Sequence, residues 1–166
     1  MGADELVSRH AAGGRNRAAA EAAGVPAAPA QQTVLITCMD ARIDPRTLFG
    51  LRPGEVHVLR NAGGVVTEDV LRSVVISQRK LGTRAVLLVQ HSGCGLTSFT
   101  DAEFSDELAA DAGARPPWRP GAFTDPAGSV RDGMAQLRRD PFLLPGTALR
   151  GFVLDITRFT LDEVHD

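Results

Sequence analysis

Five consecutive residues, Cys38-Met39-Asp40-Ala41-Arg42, carry a thiol, a carboxylate and a guanidinium at alternate positions. Extended backbone would point all three to one side, because side chains in a strand repeat with period two. The only other cysteine, Cys94, lies in His91-Ser92-Gly93-Cys94-Gly95. Two thiolates and a neutral imidazole are a zinc donor set found in structural and catalytic sites alike, and a catalytic site keeps its fourth position for water. His91 and Cys94, three residues apart on a turn, can reach one ion. Taken singly, a cysteine at a strand end is ordinarily just buried, and a histidine after a strand is ordinarily structural. The combination, with Asp40 and Arg42 beside Cys38, points to one zinc site built from two loops. A redox dithiol is the weaker reading, since the cysteines do not form a Cys-x-x-Cys pair.

Two strands must present these loops. Thr33-Val34-Leu35-Ile36-Thr37 precedes Cys38, and Ala85-Val86-Leu87-Leu88-Val89 precedes His91. Around them the chain alternates strand and helix signals. The first strand is expected over 33–38. A short helix opens at Asp44-Pro45, where Asp can cap and Pro fits the first turn, and ends at Gly50. A second strand follows over 55–60, then a tight loop, Asn61-Ala62-Gly63-Gly64. The next helix is expected over 68–81 with Val70, Val74, Ile76 and Leu81 on its apolar face, stopped by Gly82. A third strand covers 84–90. Thr100-Asp101-Ala102-Glu103 reads as a capping box opening a helix to about residue 110. A Pro-rich loop over 113–121 holds Trp118. Asp125-Pro126 starts a helix carrying Val130, Met134 and Leu137, which Gly128 and Gly133 weaken. The last strand is expected over 150–157.

This alternation implies an α/β fold with a mainly parallel central sheet and flanking helices. Right-handed crossovers restrict the topology, and in the flavodoxin-like arrangement, order 2-1-3-4, the first strand sits between the second and third. Ligands bind beyond the carboxyl ends of strands where chain direction reverses, between strands 1 and 3. Cys38 ends the first and His91 ends the third, so the topology itself brings the halves of the site together.

Composition sets the outer bounds. The 166 residues, 43% hydrophobic and 23% charged, suit one soluble domain with a single good core. A net charge of −2 gives no basic field for nucleic acid. No apolar run approaches the roughly 20 residues that a membrane helix needs. The first residues lack a basic-then-apolar leader, and both cysteines are used at the proposed site, so a cytoplasmic location is expected. Residues 1–30, rich in Ala, Gly and Pro, read as an N-terminal arm. It is either partly disordered or packed on a partner subunit, with a short helix around 17–23. Residues 31–166 form the zinc-binding catalytic domain.

The three segments Cys38-Met39-Asp40-Ala41-Arg42, Arg60-Asn61-Ala62-Gly63 and His91-Ser92-Gly93-Cys94-Gly95 together resemble the signature of the β-class carbonic anhydrases, in its short microbial branch. Gly151-Phe152-Val153-Leu154-Asp155-Ile156 is similar to that family's final strand. The resemblance implies reversible hydration of CO2 to bicarbonate and a proton, by attack of zinc-bound hydroxide, in a homodimer or homotetramer. It also implies Cys38, His91 and Cys94 as zinc ligands, one Zn2+ per chain, and Asp40 with Arg42 as a dyad beside the metal.

Chemistry fits those roles. Two thiolates cancel the ion's charge, so its water should be less acidic than on an all-histidine site. Asp40 would orient the hydroxide by accepting its hydrogen, with Arg42 holding the carboxylate by a two-pronged contact. The same carboxylate could instead swing onto zinc as a fourth ligand, and Arg42 decides between the two. Ala62 and Gly63 would give a backbone wall for a small substrate, or serve simple turn chemistry. His57 is a candidate proton relay or a packed strand residue. Val65, Val66 and Val70 could line an apolar pocket or belong to the core. Trp118 would cover an edge or subunit contact. Some members of that family bind bicarbonate at a regulatory site with a tryptophan shortly before the first cysteine, together with an arginine and a tyrosine. Here the position three before Cys38 is Leu35 and the chain has no tyrosine. Relatives on the fold that hydrolyse COS or CS2, and a silent zinc-stabilised binding protein, are the alternatives.

Overall fold

The computed structural model describes residues 2–165. Its centre is a five-stranded sheet in the order β2-β1-β3-β4-β5. The strands are β1 Thr33–Cys38, β2 His57–Asn61, β3 Ala85–His91, β4 Ala148–Leu154 and β5 Leu161–Val164. The first four pair in parallel, and β5 runs antiparallel to β4. β1 is buried over nearly its whole length, as a central parallel strand covered on both faces must be. The order of the first four strands is as expected. β5 was not, because Leu161-Asp162-Glu163-Val164 is short and half charged. An Arg150–Glu163 ion pair at 2.7 Å ties it to β4.

Two cores flank the sheet. On one face α4 (Glu68–Leu81) and α6 (Pro126–Arg139) bury Val70, Val74, Val130, Met134 and Leu137 against Val34, Ile36, Val86 and Leu88. On the other, Leu35, Val89 and Leu154 pack with Ile43, with α3 (Pro45–Phe49) and with Leu96 and Phe123. The inward stripe of α4 differs from the expected one in one respect. Ile76 is largely exposed, and Ser77 and Gln78 are buried instead. Helical periodicity puts 70, 74, 77 and 78 on one side and 76 off it. The two buried polar groups are hydrogen-bonded, which makes their burial tolerable. Ser77 Oγ meets His57 and Thr83, and Gln78 joins Thr147 and the Leu144 N–H. Gly133 does not break α6. A Cβ there would stand 2.9 Å from Leu88, so its absence lets the helix lie close on the sheet.

Before the sheet come α1 (Gly2–Arg9) and α2 (Arg15–Ala22), joined across a kink at Gly13. Neither has a buried residue. An Arg46–Glu21 ion pair and the contact of Val25 with Gly54 anchor this segment. α5 (Asp101–Ala112) opens on the expected capping box at Thr100 and Glu103 and also buries nothing. Among the described residues no helix is long and apolar enough to cross a membrane.

Candidate metal centre

β1 and β3 lie side by side, so Cys38 at the end of one and His91 at the end of the other meet at the carboxyl edge of the sheet. Cys94 follows on the turn after β3. The three ligand atoms lie within 4.8 Å of one another, and all three residues are buried. His91 Nδ1 sits 2.9 Å from the Ser92 carbonyl. A carbonyl only accepts, so Nδ1 carries the proton and Nε2 is left with the lone pair. That Nε2 is buried and has no hydrogen-bond partner. A buried orphan of this kind asks for an explanation, and a cation between it and two sulfurs supplies one. The donors fit zinc.

The loop after β1 is held in every direction. Asp40 N–H points to Cys38 Sγ at 3.4 Å, and Met39 N–H donates to the Asn61 carbonyl. Arg42 Nε donates to Asp40 Oδ1 at 2.9 Å and Arg42 Nη2 to Oδ2 at 2.7 Å, a two-pronged contact completed by the Arg42 N–H. Arg42 Nη2 also reaches the Gly93 carbonyl at 3.0 Å, tying the two ligand loops together. The Asp40 carboxylate remains 3.8 Å from His91 Nε2.

Electrostatics follow this geometry. The hydrogen bond from the Arg42 guanidinium holds the Asp40 carboxyl well below the usual carboxylate range. For Cys38 the largest influence, burial, pushes the thiol up. A protonated His91 ring and the N–H groups of Asp40 and Gly63 outweigh it, and the pKa falls to about 7. Burial instead pushes the Cys94 thiol up.

The remaining candidates divide. Gly63 is buried under Leu96 and Phe123, close enough to Cys38 for its N–H to act on the thiol, while Ala62 is half-buried beside it. Val70 is core, Val66 packs against that core, and Val65 sits beside Gly63 and Gly121. His57 is not at the site. It begins β2, at the far end of the sheet, with Nδ1 on Ser77 and Nε2 on the Ala27 carbonyl. Trp118 is exposed. Arg60, for which the sequence suggests no role of its own, holds the carbonyls of Cys38 and Asp40 with Nε and Nη2 at 2.9 and 2.8 Å. No spacing rule reveals that, because the two segments meet only through strand pairing.

The family model for carbonic anhydrase matches residues 33–113, which span both ligand loops. The β-carbonic anhydrase 1 of Mycobacterium tuberculosis is 43% identical over 140 residues, 84% of this chain and 86% of that protein. The chain belongs to the β-class carbonic anhydrases. The crystal structure of a carbonic anhydrase from Streptococcus mutans superposes with a TM-score of 0.88 at 34% identity, covering 98% of this chain and 96% of that one. The carbon disulfide hydrolase of Saccharolobus solfataricus is similar over a shorter stretch, 39% identical across 69 residues, or 42% of this chain and 34% of its own. The superposition on the Streptococcus mutans enzyme, over 98% of this chain, takes in β4 as well as the metal loops.

Proposed function

We propose that this β-class carbonic anhydrase hydrates carbon dioxide reversibly to bicarbonate and a proton, at one zinc ion held by Cys38, His91 and Cys94. The observation that carries the reading is the buried, unpartnered His91 Nε2 facing two buried thiols. When bound, zinc supplies the Lewis acidity that makes water a nucleophile near neutral pH. Asp40 orients that nucleophile by accepting its hydrogen. Arg42 would keep the carboxylate ionised and turned away from the ligand cluster. The Asp40 N–H donates to the Cys38 sulfur, and Ala62 with Gly63 forms the wall beside the substrate. Full-length similarity to a carbonic anhydrase favours CO2 over carbon disulfide or carbonyl sulfide, and the intact Asp40–Arg42 pair favours an enzyme over a silent binding protein.

Metal analysis and a CO2 hydration assay on one purified sample test this. One zinc per chain and an activity lost to chelator and restored by zinc are expected. Zinc-loaded protein without CO2 hydration, or full activity without metal, would overturn it.

The same reading includes a cytoplasmic homodimer or homotetramer. β2 lies at the sheet edge with Val58 exposed, and Ile76 is exposed on α4 beside it. Leu6 and Val7 are exposed on α1 at 65% and 68%, and α1 has no buried residue. Residues 1–30 would pack on the second subunit. Sedimentation at micromolar concentration should give a dimer or larger, and a monomer would contradict it.

A further inference from the structure

Asp40 has two destinations. Its Oδ2 is 2.7 Å from Arg42 Nη2 and 3.8 Å from His91 Nε2, so a modest side-chain rotation would carry the carboxylate into the ligand cluster. Arg42 alone does not fix that choice, because its side chain is 54% exposed and, beyond Asp40, bonds only the Gly93 carbonyl among the described residues. The backbone beneath Asp40 is held more firmly. Its carbonyl accepts from the Ile43 N–H at 3.0 Å and from Arg60 Nη2 at 2.8 Å, while Arg60 Nε bonds the Cys38 carbonyl at 2.9 Å. One planar guanidinium thus spans the carbonyls of a metal-ligand residue and a dyad residue. Arg60 is itself placed by β2, whose register sets Arg60 beside Thr37 and Asn61 beside Cys38. The fork geometry of arginine suits this, since two donors at fixed separation set the spacing of two acceptors, which a single ammonium cannot do.

We infer that Arg60 is a positioning residue for the Asp40–Arg42 dyad. It fixes the Cys38–Asp40 backbone so that the carboxylate faces Arg42 and not the ligand cluster. The inference rests on the zinc reading above. It adds that the edge strand β2, and not only the ligand loops, controls whether the site is open.

The test uses the full chain loaded with cobalt(II) in place of zinc, whose visible spectrum reports the ligand set. Wild type, Arg60→Met, Arg60→Lys and Arg42→Ala are compared at one neutral pH, with metal content, kcat and KM for CO2. Arg60→Met should keep one metal per chain, shift its spectrum towards that of Arg42→Ala and lose about 10- to 100-fold in kcat, the range for supporting residues at metal sites, with little change in KM. Arg60→Lys reaches one carbonyl and should fall between. A spectrum and kcat equal to wild type in Arg60→Lys would overturn the inference, as would an Arg60→Met protein altered only in melting temperature. Should Arg60→Met fail to fold, the lysine variant decides. Wild type that binds no cobalt or zinc would instead sink the zinc reading itself.

Discussion

The loop after β1 is held by Arg60 from β2 and by its own Arg42, whereas the loop after β3 closes on its own backbone and on β4, with one bond from Arg42 to the Gly93 carbonyl. Arg60 and Arg42 grip the first through the carbonyls of Cys38 and Asp40 and the Asp40 carboxylate. In the second, Thr97 donates to the Cys94 carbonyl through both N–H and Oγ1, at 3.0 and 2.7 Å. Ser92 takes the Leu154 carbonyl with its N–H and receives the Ile156 N–H on its Oγ at 3.0 Å. The thiols differ for another reason: His91 and the N–H groups of Asp40 and Gly63 pull Cys38 down to about 7 against burial, while burial pushes Cys94 up. One loop is a fixture that presents ligands. The other presents a ligand and also carries the group that opens or closes the site.

The severest break removes a ligand from either loop. Cys94→Ser and Cys38→Ser should each lose zinc and nearly all CO2 hydration, because His91 and one sulfur leave the ion two protein donors where such sites use three or four. Metal content by elemental analysis is the check. Full zinc occupancy in Cys94→Ser would refute the ligand assignment.

Next in size is a break that only the first loop can suffer. Arg42→Ala leaves all three ligands intact, so zinc should stay, while hydration should fall about 10- to 100-fold, as for other groups supporting a metal site. Removing the guanidinium frees a carboxylate 3.8 Å from the ligating imidazole, and a crystal structure of the variant should find Asp40 on the metal. Asp40→Ala should lose activity with zinc retained and the fourth position open. Finding Asp40 on zinc in the wild-type protein at alkaline pH would remove the distinction between the two variants.

A glycine pair sharpens the contrast with a smaller effect. Gly64, at φ +61°, presses on the end of β1, and a Cβ there would stand 2.8 Å from Cys38 N and Thr37 C. Backbone cannot yield as a flexible side chain does. The left-handed conformation alone adds about 1–2 kcal/mol for an alanine. Gly95, on the second loop, has ordinary φ and nothing within 4 Å of its missing Cβ. Gly64→Ala should lower stability by about 3 kcal/mol, combining that conformational term with overpacking of 1–3 kcal/mol, whereas Gly95→Ala should stay within about 0.5 kcal/mol. Thermal melts of the two proteins decide, and equal melting temperatures would mean that the first loop is no tighter than the second.

The same division explains what could be read without coordinates. Periodicity and punctuation located β1, β3, α4 and α6, because long apolar runs bounded by Gly, Pro and Asp have few alternative readings. Fold rules then brought Cys38 and His91 to one edge. What escaped depends on contacts that no local pattern encodes. Ser77 and Gln78 look like surface residues of α4 until His57, Thr83, Thr147 and Leu144 are seen to satisfy them inside. The grip of Arg60 exists only through the pairing of β2 with β1. β5 has too few apolar residues to signal itself and is held by pairing with β4. His57 could be named as a candidate but not placed, since its position at the start of β2 puts it away from the carboxyl edge where the metal loops gather.

The smallest effect concerns the outer support of the second loop. Phe123 N–H reaches the Leu96 carbonyl at 3.3 Å, two residues past Cys94, so the Pro-rich segment before it braces that side of the site. Asp101, in the first turn of α5, holds the segment in place. Its Oδ1 accepts from the Ala122 N–H at 2.7 Å and its Oδ2 from Arg119 Nη2 at 3.0 Å. Burial raises the Asp101 pKa, but those bonds outweigh it and leave it lowered. A depressed folded pKa stabilises above the unfolded value, near 3.9, and that contribution fades as pH falls through the folded value. Asp101→Asn should therefore lose about 1 kcal/mol at pH 7, as for a hydrogen bond to a charged group discounted for partial exposure. That corresponds to roughly 2–4 °C in melting temperature for a chain of this size. The gap from wild type should narrow as pH falls below the unfolded carboxyl value, near 3.9, where the unfolded chain takes up the proton first. Zinc content should be unchanged, since this brace touches Leu96 and not Cys94. A gap that persists undiminished at pH 3 would show that the carboxylate charge is not what secures the segment, leaving its shape and the Phe123 contact to do so.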